Sequence, residues 1–333
     1  MKLLALAAFL LATPALAEPV KVTTDNFVRA ESDLFMGGIV RNGAFEKWDH
    51  TREPSPMDKQ TIIRLNRDTL YSALVLDLDA GPATITLPDT GGRFISAQII
   101  SEDHYTPAVY YEPGVYELTR ENVGTRYVLV GVRILVDPND PEDVKTVQGL
   151  QDQLKFEHAG GGRFETPEWD QASQTAVRAH LLALADMLPD TRGMFGTREA
   201  VDPVRHLLGA AFAWGGNPEA DALYLNVQPE RNDGSAVYRM SVGEVPVRGF
   251  WSVTVYDKDG YFQPNALNAY SLNNLTAKRD ADGKATIQFG GCAADTPNCL
   301  PITAGWNYMV RLYRPEAAIL DGSWSFPVAE VAE

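Results

Sequence analysis

Arg126-Tyr-Val-Leu-Val-Gly-Val-Arg-Ile-Leu-Val136 sets the fold class. Its β-branched residues, mostly period-two pattern and abrupt stop at Asp137-Pro138 read as a strand. The segments upstream read the same way: Leu70–Leu78, Ala83–Leu87 and Arg93–Ile100. Ala80-Gly-Pro82, Asp89-Thr-Gly-Gly92 and Glu112-Pro-Gly114 supply turns between them. Short strands in series without intervening helices argue for an antiparallel sandwich or barrel.

Helical spacing appears on both sides. Upstream, Val22–Ala44 carries Phe27, Ala30, Leu34 and Phe35 on one face, with Thr24 or Asp25 as the expected N-cap. Downstream, Asp140 caps a helix with Pro141 in its first turn and Val144, Val147, Leu150 and Leu154 inward. Gly160-Gly-Gly162 ends that segment. A second helix is expected from about Pro167 to Leu188, and a third after Asp202-Pro203. Strands then resume at Leu223–Val227, Ala236–Met240, Gly249–Tyr256, Ala285–Phe289 and Tyr308–Tyr313. The chain therefore divides into a leader (1–17), an N-terminal β domain (18–140), a helical connector (141–218), a C-terminal β-sandwich domain (219–327) and a loose tail (328–333). The length, 333 residues, suits about two domains.

The leader is Met1-Lys2, an apolar run over Leu3–Leu11 and Ala15-Leu16-Ala17. It reads as a secretory signal peptide cut between Ala17 and Glu18, which places the mature protein in the periplasm or outside the cell. No later segment is apolar for long enough to span a bilayer. With 29 basic against 44 acidic residues the net charge is −15. That excludes an electrostatically driven nucleic-acid binder. Cys292 and Cys299 are the two cysteines, and in an oxidising compartment they read as a disulfide closing a small loop. The rival is a metal pair or a reactive thiol.

Motifs for a nucleophile elbow, a zincin, a P-loop and a dinucleotide fold are missing from the sequence. No nucleotide cofactor is expected, and a divalent cation stays open. Ser101-Glu-Asp-His-Tyr105 gathers two carboxylates, an imidazole and a phenol at a strand end. Glu102 or Asp103 with His104 would form an acid–base group, and Tyr71 or Tyr105 would donate to an oxyanion. Strand alternation lets Glu102 converge with His104, or Asp103 with Tyr105. The bland alternative is a solvated strand end. Arg67, Asp68 and Tyr71 in Arg64–Ser72 are expected to bind substrate, or else to form a structural ion pair. Trp214, Tyr261, Asn265 and Tyr270 suit a sugar-binding surface, or ordered loops. Asp257-Lys-Asp-Gly260 and Asp280-Ala-Asp-Gly283 begin like calcium loops but lack the later ligands, so they read as hairpin turns.

Five stretches together resemble a known family: Asn66–Ser72, Glu102–Tyr105, Gly249–Tyr256, Asn268–Asn274, and Val310–Pro315 with Leu320–Trp324. It is the exported bacterial family that joins an N-terminal domain of unknown function, numbered twelve-fifty-four, to a C-terminal one, numbered twelve-fourteen. The resemblance implies two jelly-roll-like β-sandwich domains, a helical connector and a homo-oligomer. It carries over no catalytic residues. Two expectations follow from the residues. One is a periplasmic hydrolase or lyase acting on a small polar ester, amide or glycan. The other is a non-catalytic glycan-binding or envelope-assembly protein.

Overall fold

The computed structural model describes residues 18–60 and 63–332, so the leader lies outside the described residues. From the N-terminus come α1 (Phe27–Ile39), β1 (Asp49–His50), β2 (Thr69–Asp77), β3 (Ala83–Leu87), β4 (Ile95–Ser101), β5 (Ala108–Tyr110), β6 (Gly114–Leu118), α2 (Arg120–Val123) and β7 (Tyr127–Leu135). Then follow α3 (Pro141–Gln151), β8 (Lys155–His158), α4 (Gln171–Ala185), α5 (Pro203–Phe212) and β9 (Ala222–Val227). The chain continues with β10 (Tyr238–Val242), β11 (Trp251–Tyr256), β12 (Ser271–Asn273), β13 (Ala285–Phe289), β14 (Cys299–Leu300), β15 (Asn307–Tyr313), α6 (Ala317–Leu320) and β16 (Glu330–Val331). The protein is mainly β, as expected.

The first domain is a five-stranded sheet, β1-β2-β7-β4-β5, over a three-stranded sheet, β6-β3-β8. Leu70, Leu74, Val130 and Val132 of the larger sheet share one core with Ile85, Leu87 and Leu118 of the smaller. Val144, Val147 and Leu150 of α3 enter the same core. So α3 and β8 belong to the first domain, not to the connector. Asp140 caps α3 through the Glu142 N–H at 2.9 Å, with Pro141 first in the helix.

The second domain holds two four-stranded sheets, β14-β13-β10-β16 and β12-β11-β15-β9. Tyr238, Ile287 and Phe289 from one meet Trp251, Val253 and Val310 from the other in a shared core. Its pairs are antiparallel except β13–β14. Cys292 and Cys299 form a disulfide that closes the connection between those two strands. The expected tail is partly ordered: Glu330–Val331 pairs with β10 as an edge strand.

A separate core joins α1, α4 and α5 through Phe27, Ala30, Leu181 and Leu208. Helix α1 starts at Phe27, later than expected, and Asn26 precedes it without a side-chain cap. Asp170 and Asp202 cap α4 and α5. No helix among the described residues is long and apolar enough to cross a membrane.

Candidate functional site

The larger sheet of the first domain has a second face, and three parts of the molecule meet on it. At one end Val75, Leu129 and Ile100 are covered by Met36 of α1 and by Trp214. At the other end Leu135 packs with Phe250 and Tyr313 of the second domain. Between these coverings the face turns polar. Tyr71 stands opposite Arg133, and Ala73 opposite Gly131. Gln98 pairs with Gly131 from the other side. These are interior strands, yet Tyr71, Ala73, Gly131 and Arg133 are only half-buried. A Cβ built on Gly131 would meet nothing within 4 Å. The sheet thus forms the floor of a recess, and a side-chain-free residue in mid-strand lets a ligand approach the backbone.

Second-domain and connector residues wall the recess. Asn66 donates from Nδ2 to Tyr71 Oη at 3.1 Å and to Tyr313 Oη at 3.2 Å. The Asp68 N–H, donating to Asn66 Oδ1 at 2.9 Å, fixes which way that amide points. Asn217 donates to Tyr224 Oη at 2.7 Å. All three phenols therefore accept from an amide and keep their own O–H to give. Arg133 donates to Gln98 Oε1 at 2.9 Å, with its guanidinium 5.6 Å from the Tyr71 ring centroid. Burial, with Tyr224 and Tyr71 close by, holds the Tyr313 phenol well above its ordinary range, so it is a neutral donor at pH 7.

The expected substrate binders divide. Tyr71 lines the recess. Asp68 is fully buried and accepts from Ser271 and Asn273 of the second domain, each at 3.1 Å. Arg67 donates to the Ser55 carbonyl and lies over Tyr270. Both fix the domain junction next to the recess.

Residues 101–105 do not continue the strand. The Tyr105 carbonyl accepts from the Ser101 N–H at 2.9 Å, and His104 has φ +64°. The chain folds into a tight turn, so strand alternation no longer orders its side chains. Glu102 turns toward Asp33 and lies 3.5 Å from Arg29. Burial, offset in part by Arg29, lifts its carboxyl to about 7. Asp103 pairs with Arg29 at 2.5 Å and with Arg198 at 3.6 Å. Tyr105 stacks on His206, their centroids 4.5 Å apart. His104 is buried between His206 and Trp214, and its Nε2 accepts from the Gly215 N–H at 2.8 Å. Burial, then His206, pushes its imidazole down to about 3. The turn thus splits its four side chains into two pairs: Glu102 and Asp103 share Arg29, while His104 and Tyr105 both lie against His206. Through Gly215, His104 holds the strap Trp214–Asn217, whose Gly216 carbonyl accepts from Gln98 at 2.8 Å and whose Asn217 orients Tyr224.

Asn265 accepts from the Leu267 and Ala269 N–H groups, both at 3.1 Å, and closes its own loop. Tyr270 is buried against Phe262, while Tyr261 is half-buried beside Asp257. Trp214 stacks on Phe35 at 4.9 Å. These four residues do not form one surface. Asp257 and Asp280 accept from backbone N–H groups of their own turns.

Asn66, Gln98, Gly131, Arg133, Tyr224 and Tyr313 were missed as site residues. The available signal was an arginine and a glycine inside an otherwise apolar central strand.

Family comparison now adds to this geometry. A model described as "Protein of unknown function (DUF1254)" matches residues 45–131. A second, "Protein of unknown function (DUF1214)", matches residues 222–317. The chain belongs to the family that joins these two domains. The recess of this DUF1254–DUF1214 protein lies where the two matched regions face each other. A solved structure, the VPA0106 protein from Vibrio parahaemolyticus, is similar at 21% identity and TM-score 0.72, covering 93% of this chain and 98% of that one. An uncharacterised protein from Burkholderia cenocepacia is similar at 16% identity and TM-score 0.53, covering 93% of this chain and 87% of that one. At these identities both likenesses concern the fold. No curated protein matches the DUF1254–DUF1214 chain.

Proposed function

We propose that this is an exported protein whose working site is the junctional recess, and that the recess binds a small polar molecule. The observation that carries this is the set of three phenols, Tyr71, Tyr224 and Tyr313, each held as an acceptor by an asparagine and each left with an O–H to donate. Such donors suit a hydrolase or lyase, because they are placed to stabilise an oxyanion as it develops on a small ester, amide or glycan. They suit a non-catalytic binding protein equally. One observation favours that second reading: Asp221 is engaged by Tyr111 at 2.6 Å, and Asp68 is held by Ser271 and Asn273 through Oδ1, only its buried Oδ2 lacking a hydrogen-bond partner among the described residues.

Gly131→Val tests the site, since its Cβ would stand over the floor with nothing within 4 Å. The purified protein from Glu18 onward is assayed on chromogenic esters, amides and glycosides, and for stabilisation by a panel of free sugars and sugar acids. Gly131→Val is expected to melt close to wild type and to lose both turnover and ligand-induced stabilisation. Tyr71→Phe is expected to lose turnover. If Gly131→Val keeps turnover or stabilisation at the wild-type level, the recess is not the site. Wild-type stabilisation without turnover selects the binding protein.

A further inference from the structure

We infer that the recess takes a ligand bearing a carboxylate, seated on Arg133 above Gly131. This rests on the recess being the ligand site.

Four arginines surround the junction, and each donates to neutral acceptors. Arg64 reaches Asn307 Oδ1 at 2.8 Å, and Arg67 the Ser55 carbonyl. Arg311 reaches Thr254 Oγ1 at 2.8 Å and Tyr256 Oη at 2.6 Å. Arg133 reaches Gln98 Oε1 at 2.9 Å. Among the described residues, none of the four has a carboxylate within salt-bridge distance, although the chain as a whole carries a net charge of −15. Asp68 lies near enough to Arg67 and Arg311 to offset their charge. The titratable groups near Arg133 are the phenols of Tyr71, Tyr224, Tyr313 and Tyr111.

A guanidinium removed from bulk water without a counter-charge is unfavourable, and folding on its own would select against it. A planar carboxylate matches the guanidinium fork with two charge-assisted hydrogen bonds. The surrounding donors agree with that, because the phenol O–H groups would give to its oxygens or to neighbouring hydroxyls. Space agrees as well, since the floor beside Arg133 is the open position over Gly131. A neutral sugar would leave the charge uncompensated. The predicted ligand is a small hydroxylated carboxylic acid.

The test uses 2,3-butanedione, which condenses with accessible guanidinium groups, followed by peptide mass mapping of the folded protein. The probes are galacturonate, glycolate, galactose and inorganic phosphate at matched ionic strength. Arg133 is expected to react, and at least one of the two acids is expected to slow that reaction roughly five-fold or more once it exceeds its dissociation constant several times over. Galactose and phosphate are expected to protect less. If Arg133 reacts but neither acid protects it, or galactose or phosphate protects as well, the carboxylate assignment is overturned and the recess stands. If Arg133 does not react in the folded protein, the recess is closed to small molecules and both readings fall.

Discussion

Asn66 and Tyr313, 247 positions apart in the chain, are hydrogen-bonded at 3.2 Å across the domain junction. The same amide nitrogen also lies 3.1 Å from both Tyr71 Oη and Thr69 Oγ1, so its two hydrogens are shared among three acceptors and one side chain ties the first domain to the second beside two phenols of the recess. Asn66→Ala would leave those groups unpaired and cost about 2–3 kcal/mol. Urea unfolding should show a lower midpoint, and binding in the recess should weaken more than Thr69→Ala weakens it.

Asp68 gives a larger effect. It is fully buried and bonded to two side chains of the other domain. Asp68→Ala removes the carboxylate near Arg67 and Arg311 and should cost about 3–5 kcal/mol. The expected readout in urea is an early, separate transition as the domains part. A single transition at the wild-type midpoint would contradict this role.

Glu102 makes stability fall as pH rises from the ordinary carboxylate range to about 7. Its folded carboxyl is raised to about 7 by burial, so the folded chain holds a proton that the unfolded chain has released. The stabilisation is complete below the ordinary carboxylate range and is lost as pH rises through about 7. Glu102→Gln should therefore flatten the decline between about pH 4.5 and 7.5, gaining about 1–3 kcal/mol over wild type at the upper end. Melting temperatures across that range check it.

His104 acts on the acid side with the opposite sign. Its imidazole stays neutral down to about 3, while an unfolded histidine takes a proton near 6.5. Its contribution is present above about 6.5 and is lost as pH falls toward 3. His104→Gln should reduce the acid sensitivity between pH 6.5 and 4. His104→Ala should cost about 3–4 kcal/mol at pH 7, because it empties a buried ring site and orphans the Gly215 N–H.

The disulfide should act locally. Cys292→Ser with Cys299→Ser should lower stability by about 2–3 kcal/mol through the closed loop, without changing binding in the recess. Denaturation of the double variant beside the reduced wild type measures it.

Much of the fold was legible because strands and capped helices leave local patterns. Val128, Val130 and Val132 in β7, and Asp140-Pro141 before α3, are of this kind. What a helix packs on is not local. Val144 and Val147 look the same whether they face a connector or a sandwich core, so the domain boundary fell too early. The turn at Ser101–Tyr105 escaped because a left-handed residue there is a histidine, not a glycine. Tyr71 was singled out, but Arg133, Tyr224 and Tyr313 were not. Each reads as an ordinary strand residue, and only tertiary pairing brings them together.

The segment at the front of the described chain has a consequence for order in time. The Val22 N–H donates to Ser173 Oγ, a partner 151 positions later, and α1 buries Phe27 and Ala30 against α4 and α5. A chain made from its N-terminus presents this apolar helix long before its partners exist. This stretch emerges well before its partners and is thus among the last to be secured, and its contacts carry a high loop-closure penalty. Until residues 171–212 arrive, α1 is the piece of this protein that most needs a temporary companion.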